Sequence, residues 1–374
     1  MAKAVYVGVG SKARKMKKAY IGIGGKARKV KKMYIGVGGK ARLCYSAELE
    51  KVGMATALST TRYDMRAATV GKYALFAGGY ISKSSFGYSV SSSVDAYNTS
   101  LTKSTPTELS CKRCGHAAAS VGGYALFAGG ASSYNILGFY ENLVSAVDAY
   151  DASLTRSAAH IIGVTVAIGG AAVGNYALFA GGTVYSQINK DNVTSDVLAY
   201  DPSLTFTTAP LLSVARANVK GASAGNYALF AGGRAGSFCT TVDAYNASLT
   251  RTTATALSST KNNSAAATVG NHAIFVGNTA SADIYDASLT KTSAAILSTA
   301  RTGLAATTVG DYAIFSGGGV ADFCDASLTR SSIGTSMTGY DMGAATIGDY
   351  ALFAGGHSGE KSDTAYDSVE VYTA

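Results

Sequence analysis

Cys111-Lys-Arg-Cys114 is the single CxxC pair in the chain, and His116 follows two residues later. Such a pair can serve as a redox dithiol or as half of a zinc site. Tetrahedral zinc needs four ligands, however, and no second pair exists. The other three cysteines stand alone, so structural filling is the expected role of all five and no disulfide framework is read from them. His116 is the histidine best placed to act as a ligand. His272 occupies a position that tyrosine fills elsewhere in the sequence and is read as structural. No metal site is expected.

Acid–base chemistry on a polysaccharide needs two carboxyl groups flanking the bond to be broken. Glu141, Asp191, Asp196, Glu360 and Asp363 lie in or beside variable segments, and none recurs in a motif. Catalysis is therefore not expected, and a depolymerase remains the alternative that a carboxylate pair would support. Asp95, Asp148 and Asp243 recur too regularly to be catalytic and are expected to support the units that repeat them. The many Gly-Gly pairs lack the GxxxxGK[ST] context of a phosphate loop, so no cofactor is expected.

The elements that position these residues are repeats. Tyr-Ala-Leu-Phe-Ala-Gly-Gly begins at Tyr73, Tyr124, Tyr176, Tyr227 and Tyr350, with variants at His272 and Tyr312. A second string, Val-Asp-Ala-Tyr-Asn-Thr-Ser-Leu-Thr from Val94, has relatives at Val147, Val197, Val242, Ala282, Ala321 and Val369. The intervals between successive first strings are 51, 52, 51, 45, 40 and 38. The segments between the diglycine position and the second string have lengths of 14, 16, 14, 8, 3 and 2, which leaves a frame of 36 or 37 every time. Nearly all length variation therefore sits in one loop of each unit.

Each frame reads as four short strands. An Ala-rich strand such as Ala265–Val269 comes first, with small side chains suited to a crowded centre. The near-continuous Tyr-Ala-Leu-Phe-Ala run fits a strand covered on both faces. Val-Asp-Ala-Tyr is the third strand, and Asp151, Asp286 or Asn246 then closes a tight turn by bonding the backbone two residues on. A Thr-rich fourth strand follows, as at residues 250–255. Seven such units of about 40–50 residues make an all-β, seven-bladed propeller. Tyr45 stands ahead of Tyr73 at close to the usual separation of a third-strand tyrosine from the next first string. Residues 46–57 are therefore expected to supply the outer strand of the last blade, a closure that removes exposed sheet edges.

In a four-stranded meander, the loop between strands two and three shares a face with the links between blades. That face carries the variable segments, whereas the opposite face consists of uniform tight turns. The long loops hold Tyr80, Phe86 and Tyr88, then Tyr134, Phe139 and Tyr140, then Tyr185 and Asn189, and His357 and Tyr366 in blade seven. Tyrosine gives rigid amphipathic contact area, while Ser, Gly and Asn adapt their hydrogen bonding. These ten residues are the candidate ligand contacts, for a glycan or for a protein. The inter-blade Arg62, Arg113, Arg216 and Arg301 are placed on the same face.

Composition bounds the rest. The 374 residues are 47% hydrophobic and 15% charged, which is too apolar for a disordered chain. No apolar run reaches the roughly 18 residues of a membrane span. The start, Met-Ala-Lys-Ala-Val-Tyr, lacks the apolar stretch of a secretory signal, so synthesis in the cytoplasm without a signal peptide is expected. The net charge of +9 divides unevenly: residues 1–44 hold 10 Lys, 3 Arg and no acid. Residues 45–374 keep 19 of the 32 basic groups against all 23 acidic ones, a balance of −4. Two physically different pieces, 1–44 and 45–374, are thus expected.

The diglycine after an apolar strand, the later tyrosine and the arginine ahead of the next unit resemble Kelch repeats. The resemblance spans residues 45–374 and implies a propeller; it departs from the family in having no tryptophan. Residues 1–44 carry a separate repeat of period 14, with tyrosines at 6, 20 and 34. Val-Gly-Ser, Ile-Gly-Gly and Val-Gly-Gly separate short β-prone runs and suggest hairpins. An isolated sheet of this size should be marginal and should order by oligomerising or by docking on an acidic partner. Its Lys-Ala-Arg-Lys-Val-Lys-Lys and Tyr-Ile-Gly-Val-Gly-Gly pattern is similar to the amino-terminal repeats of tail-associated proteins in bacteriophages and prophages of Gram-positive hosts. That resemblance implies a virion-attachment segment that docks on tail or baseplate proteins, with a distal adhesin recognising a cell-surface glycan or protein. Lys15, Lys17, Lys18, Lys29, Lys31 and Lys32 are the expected docking residues. Phosphate neutralisation by a basic tail is the competing, less favoured reading, and an intracellular protein-interaction scaffold is the third.

Overall fold

Alanine, glycine, serine and threonine dominate the first strand of every unit, and their small side chains let seven backbones meet around one axis. In the computed structural model these inner strands are Arg66–Val70, Ala117–Val121, Gly169–Val173, Lys220–Ala224, Ala265–Val269, Ala305–Val309 and Gly343–Ile347. Each lies against the next and the seventh against the first, so the ring is closed. The structure describes all residues except 1–5, 10–11, 16–18, 24–25, 31, 38–39, 47, 85–86, 136–138, 162, 164, 185–191, 262–264 and 360–363. Among the described residues there are seven radial four-stranded antiparallel blades and no helix, hence none long and apolar enough to cross a membrane.

The Tyr-Ala-Leu-Phe-Ala strand is apolar throughout because both of its faces are covered by neighbouring blades. In Tyr73–Ala77, Leu75 and Ala77 pack toward blade two, while Ala74 and Phe76 pack toward blade seven. The same alternation recurs in the other blades, so the core is seven wedges rather than one mass. Truncating one of these leucines to alanine should cost about 2–5 kcal/mol. Third-strand tyrosines lock the wedges further. Tyr97 stands edge-on to Phe76 at 5.9 Å, and its hydroxyl donates to the Thr56 carbonyl at 2.7 Å.

The tight turns form as the Asn/Asp spacing requires. Asn98, Asp151, Asp201, Asn246, Asp286 and Asp325 each accept the N–H two residues on, at 2.8–3.0 Å. The leucine three residues after each acid or amide adopts a left-handed backbone, with φ of 58–67°. That conformation costs a non-glycine residue roughly 1–2 kcal/mol, and it persists because each leucine packs onto an inter-blade wedge.

Ring closure joins the two ends of the chain. Glu50–Ala55 pairs antiparallel with Val369–Thr373, with Glu50 opposite Thr373 and Ala55 opposite Val369. The chain therefore enters the ring at the tight-turn rim and first reaches the loop face at Leu58, whose N–H donates to the Asp367 carbonyl. Ahead of it the basic segment forms three hairpins: Tyr6–Val9 with Lys12–Lys15, Tyr20–Ile23 with Lys26–Lys29, and Lys32–Val37 with Lys40–Ser46.

The long segments of blades one and two depart from the expected loops. They fold into an eighth four-stranded sheet, ordered Tyr80–Ser84, Gly87–Val90, Ala131–Tyr134 and Tyr140–Leu143. Tyr88 pairs with Tyr134 across the joint between the two blades. Gly87 makes this approach possible: with φ at 133°, a Cβ there would lie 2.7 Å from the Tyr134 carbonyl oxygen.

Candidate functional site

The links that cross the loop face are tied down by the recurring acids. Asp243, fully buried, accepts from the Ser213 N–H and hydroxyl, from Arg216 at 2.9 Å and from Arg251 at 3.0 Å. Asp95 with Arg62, Asp148 with Arg113, and Asp322 with Arg301 repeat the arrangement, and Lys261 replaces arginine beside Asp283. Blade three lacks both members, carrying Thr165 and Leu198 at the matching positions. Arg62, Arg113 and Arg216 are therefore wholly buried fasteners. Sequence alone set them on the binding face, but their charge is spent on the carboxylate beneath and on backbone carbonyls.

Above these links stands the composite sheet and its aromatic cluster. Ring centroids are 5.1 Å apart for Tyr63 and Tyr80, 5.5 Å for Tyr80 with both Tyr88 and Tyr134, 5.2 Å for Tyr88 and Tyr134, and 5.0 Å for Tyr134 and Tyr140. Most of these pairs meet edge to face, the arrangement that ring quadrupoles prefer. The cluster is thus a small satellite core, with Val90, Cys114, Ala131 and Val166 beneath it. Tyr80 corrects the sequence reading: it is buried under its neighbours and forms the floor rather than a contact. Tyr88 and Tyr134 are half-buried and present the upper surface. Tyr140 leans over Gly115 toward the channel, where burial and the Asp64 carboxylate push its hydroxyl pKa well above the usual range.

Charged residues that sequence reasoning missed surround the channel mouth. The residue two places before six of the seven inner strands adopts a left-handed backbone: Asp64, Gly115, Ala167, Asn218, Gly303 and Asp341 have φ of 49–63°. Their backbones link blade to blade, with Asp64 N–H donating to Asp341, Asp341 to Gly303, Ala167 to Gly115 and Asn218 to Ala167, all at 2.7–2.8 Å. Asp64 also pairs with Arg66 at 2.6 Å. His357 accepts the Gly359 N–H at Nδ1, so Nε2 carries the hydrogen and faces Asp341 at 3.1 Å. Burial opposes the Arg66 charge, yet the Asp64 carboxylate outweighs it and Arg66 is held above its ordinary pKa. The sequence signal was present as Asp-Met-Arg66 and Asp341-Met, but nothing in the repeat frame singled it out.

The remaining candidates are scattered. Phe139 is half-buried, with its N–H bonded to the Asn135 side chain. Tyr366 is half-buried, and its carbonyl accepts the Arg62 N–H. Glu141 is exposed and bonded to Asn135. Phe86, Tyr185, Asn189, Lys17, Lys18 and Lys31 lie outside the described residues, as do Asp191, Glu360 and Asp363; Lys15, Lys29 and Lys32 lie in hairpin strands. Cys114 is buried and its thiol is pushed up to about 12, chiefly by burial, so it is no redox nucleophile. His116 is also fully buried, without a well-aligned hydrogen-bond partner on either ring nitrogen. Burial, with Arg113 and Arg66 nearby, holds it well below the ordinary histidine pKa.

No family model matches the chain, and no curated protein sequence matches it. Among solved structures, that of YjhT, a Kelch-repeat propeller protein, superposes with a TM-score of 0.55 at 11% identity, over 86% of this chain and 99% of that one. At such identity the likeness speaks for architecture alone: this chain has a Kelch-like β-propeller fold.

Proposed function

We propose that the protein is a tail-associated receptor-binding protein of a phage or prophage, recognising a cell-surface glycan or protein through the loop face. One observation carries this reading. The chain enters the ring at Glu50 on the tight-turn rim, while the aromatic platform of Tyr88 and Tyr134 stands on the opposite face. A tethered adhesin needs that separation of anchor and contact surface. The basic segment of residues 1–44 supplies the anchor in this reading, and tail or baseplate proteins are its partner.

Recognition by such a platform uses half-buried tyrosines that lose little entropy on contact. The test is binding of the full chain to bacterial envelope fractions. Changing Tyr88 and Tyr134 together to serine should abolish binding, whereas Ser288→Lys on the tight-turn face should leave it intact. Full binding by the tyrosine variant, or loss in Ser288→Lys alone, overturns the proposal. A carbohydrate-active version rests on Asp64 and Asp341, two acids joined by a backbone hydrogen bond at the mouth. Release of reducing ends from envelope polysaccharide, lost in Asp341→Asn, would favour it.

A further inference from the structure

The loop-face half of the channel is a cavity of about 210 Å³, continuous in its lining with a larger one of about 480 Å³ below. Its walls are mostly alanine and glycine, with Met65, Ile168, Val219, Leu304 and Met342 among them. Two charged side chains line it, Arg66 from blade one and Lys220 from blade four, on opposite sides of the ring. Their situations differ. Arg66 donates to Asp64 and to the His116 carbonyl, and Asp341 is engaged by His357. The Lys220 ammonium has no hydrogen bond and no carboxylate within ion-pair distance among the described residues; Asp64 and Asp341 act on it from farther away. Burial and the Arg66 charge both press it toward its neutral form.

Lys220 is half-buried, so it has given up part of its water at an apolar mouth without gaining a protein acceptor. None of its inner-strand counterparts in blades two, three, five, six and seven demands it: Ala117, Gly169, Ala265, Ala305 and Gly343 fill the same position with small residues. At about 30 Å³ per water the mouth has room for several waters, so a group the size of a phosphate or a sugar carboxylate fits. An anion set between Lys220 and Arg66 would give the lysine its missing acceptor and relieve the repulsion between the two cations. Tyr140, adjoining Arg66, would leave the rest of such a ligand on the aromatic platform.

We propose that the loop-face mouth of the channel binds a small anionic group, carboxylate or phosphate, between Lys220 and Arg66. This rests on the loop face being the recognition surface and specifies what that surface reads: an acidic ligand rather than a neutral one. The probes are inorganic phosphate, glucuronate and neutral glucose, titrated calorimetrically into the full chain at low ionic strength. At least one anion should bind and glucose should not, and the tighter of the two anions distinguishes a phosphate-bearing ligand from a uronate. Lys220→Met should weaken anion binding roughly 10- to 100-fold, the worth of one charged hydrogen bond, while Lys220→Arg should retain it. Thermal unfolding should not fall in Lys220→Met, which separates loss of a contact from loss of fold. Absence of binding by both anions, or equal anion affinity in Lys220→Met and the parent chain, overturns the proposal. Either result leaves the tyrosine-platform experiment on envelope fractions standing, because that readout does not depend on Lys220.

Discussion

Blade three does without the buried ion pair that blade four depends on, and this difference gives a quantitative test of how the loop face is held. In blade four, Asp243 and Arg216 are both wholly buried and 2.9 Å apart. Arg216 also donates to the carbonyls of Gly232, Val214 and Phe230 at 2.8–3.1 Å. Replacing Asp243 with leucine, the blade-three residue, strands a guanidinium among carbonyls and also deprives Ser213 and Arg251 of their acceptor. Such a loss should cost about 3–5 kcal/mol. Arg216→Thr alone leaves the carboxylate with Arg251 and Ser213, so its cost should fall at the lower end of that range. The double variant reproduces the Thr165/Leu198 pair of blade three and should be less damaging than the summed singles by about 2–3 kcal/mol. Urea unfolding followed by far-ultraviolet circular dichroism at pH 7 measures all four corners of the cycle; the chain has no tryptophan for fluorescence. Additivity within about 0.5 kcal/mol, or a cost for Asp243→Leu well below the range for a broken buried pair, would refute the role assigned to it.

Other outcomes follow from the same geometry. The hydroxyls at the fourth position of the inner strands donate around the channel, Ser120 to Thr69, Thr69 to Thr346, Thr346 to Thr308, Thr308 to Thr268, Thr268 to Ser223 and Ser223 to Ala172. Ala172 breaks the ring, so Ala172→Ser should complete it and add about 1 kcal/mol in urea unfolding; a destabilised variant would contradict this. His116 is neutral in the folded protein and protonates near pH 6.5 once unfolded, so its contribution to stability should be full above that pH. Stability should fall by up to about 1.4 kcal/mol per pH unit below it. His116→Leu should flatten the profile between pH 6.5 and 5, above the range where Glu370, whose pKa is lowered, begins to matter; an unchanged slope would remove His116 as the cause. Gly87→Ala should part the two hairpins of the composite sheet, raising hydrogen exchange in residues 87–90 and 131–134 while the blades stay protected.

Much of the architecture was legible because the wedges are alike. Five Tyr-Ala-Leu-Phe-Ala runs and their two variants demand cover on both faces, and only a closed ring supplies it for every copy; the displaced Glu50–Ala55 strand followed from the position of Tyr45. The turn chemistry was also local, set by Asn or Asp two residues before the N–H it binds. What escaped was non-repetitive. The composite sheet depends on two loops from different blades meeting at Tyr88 and Tyr134, a pairing of segments separated by a whole run of blade strands. Tyr80 looked like a contact residue by type and the link arginines were placed on the same face, yet burial gives both to the fold. Arg66, Lys220, Asp64 and Asp341 are brought to the mouth by closeness around an axis, which linear spacing does not display.

If one face of the ring meets the cell surface and the other does not, hydrogen exchange of the full chain, with and without bound envelope material, reads both faces in a single experiment. Slowed exchange is expected in residues 80–90, 131–143 and 64–66, with the turns at residues 98–102, 151–155 and 286–290 unchanged. Protection of those turns, with the tyrosine-bearing strands exchanging as before, would contradict the division of faces.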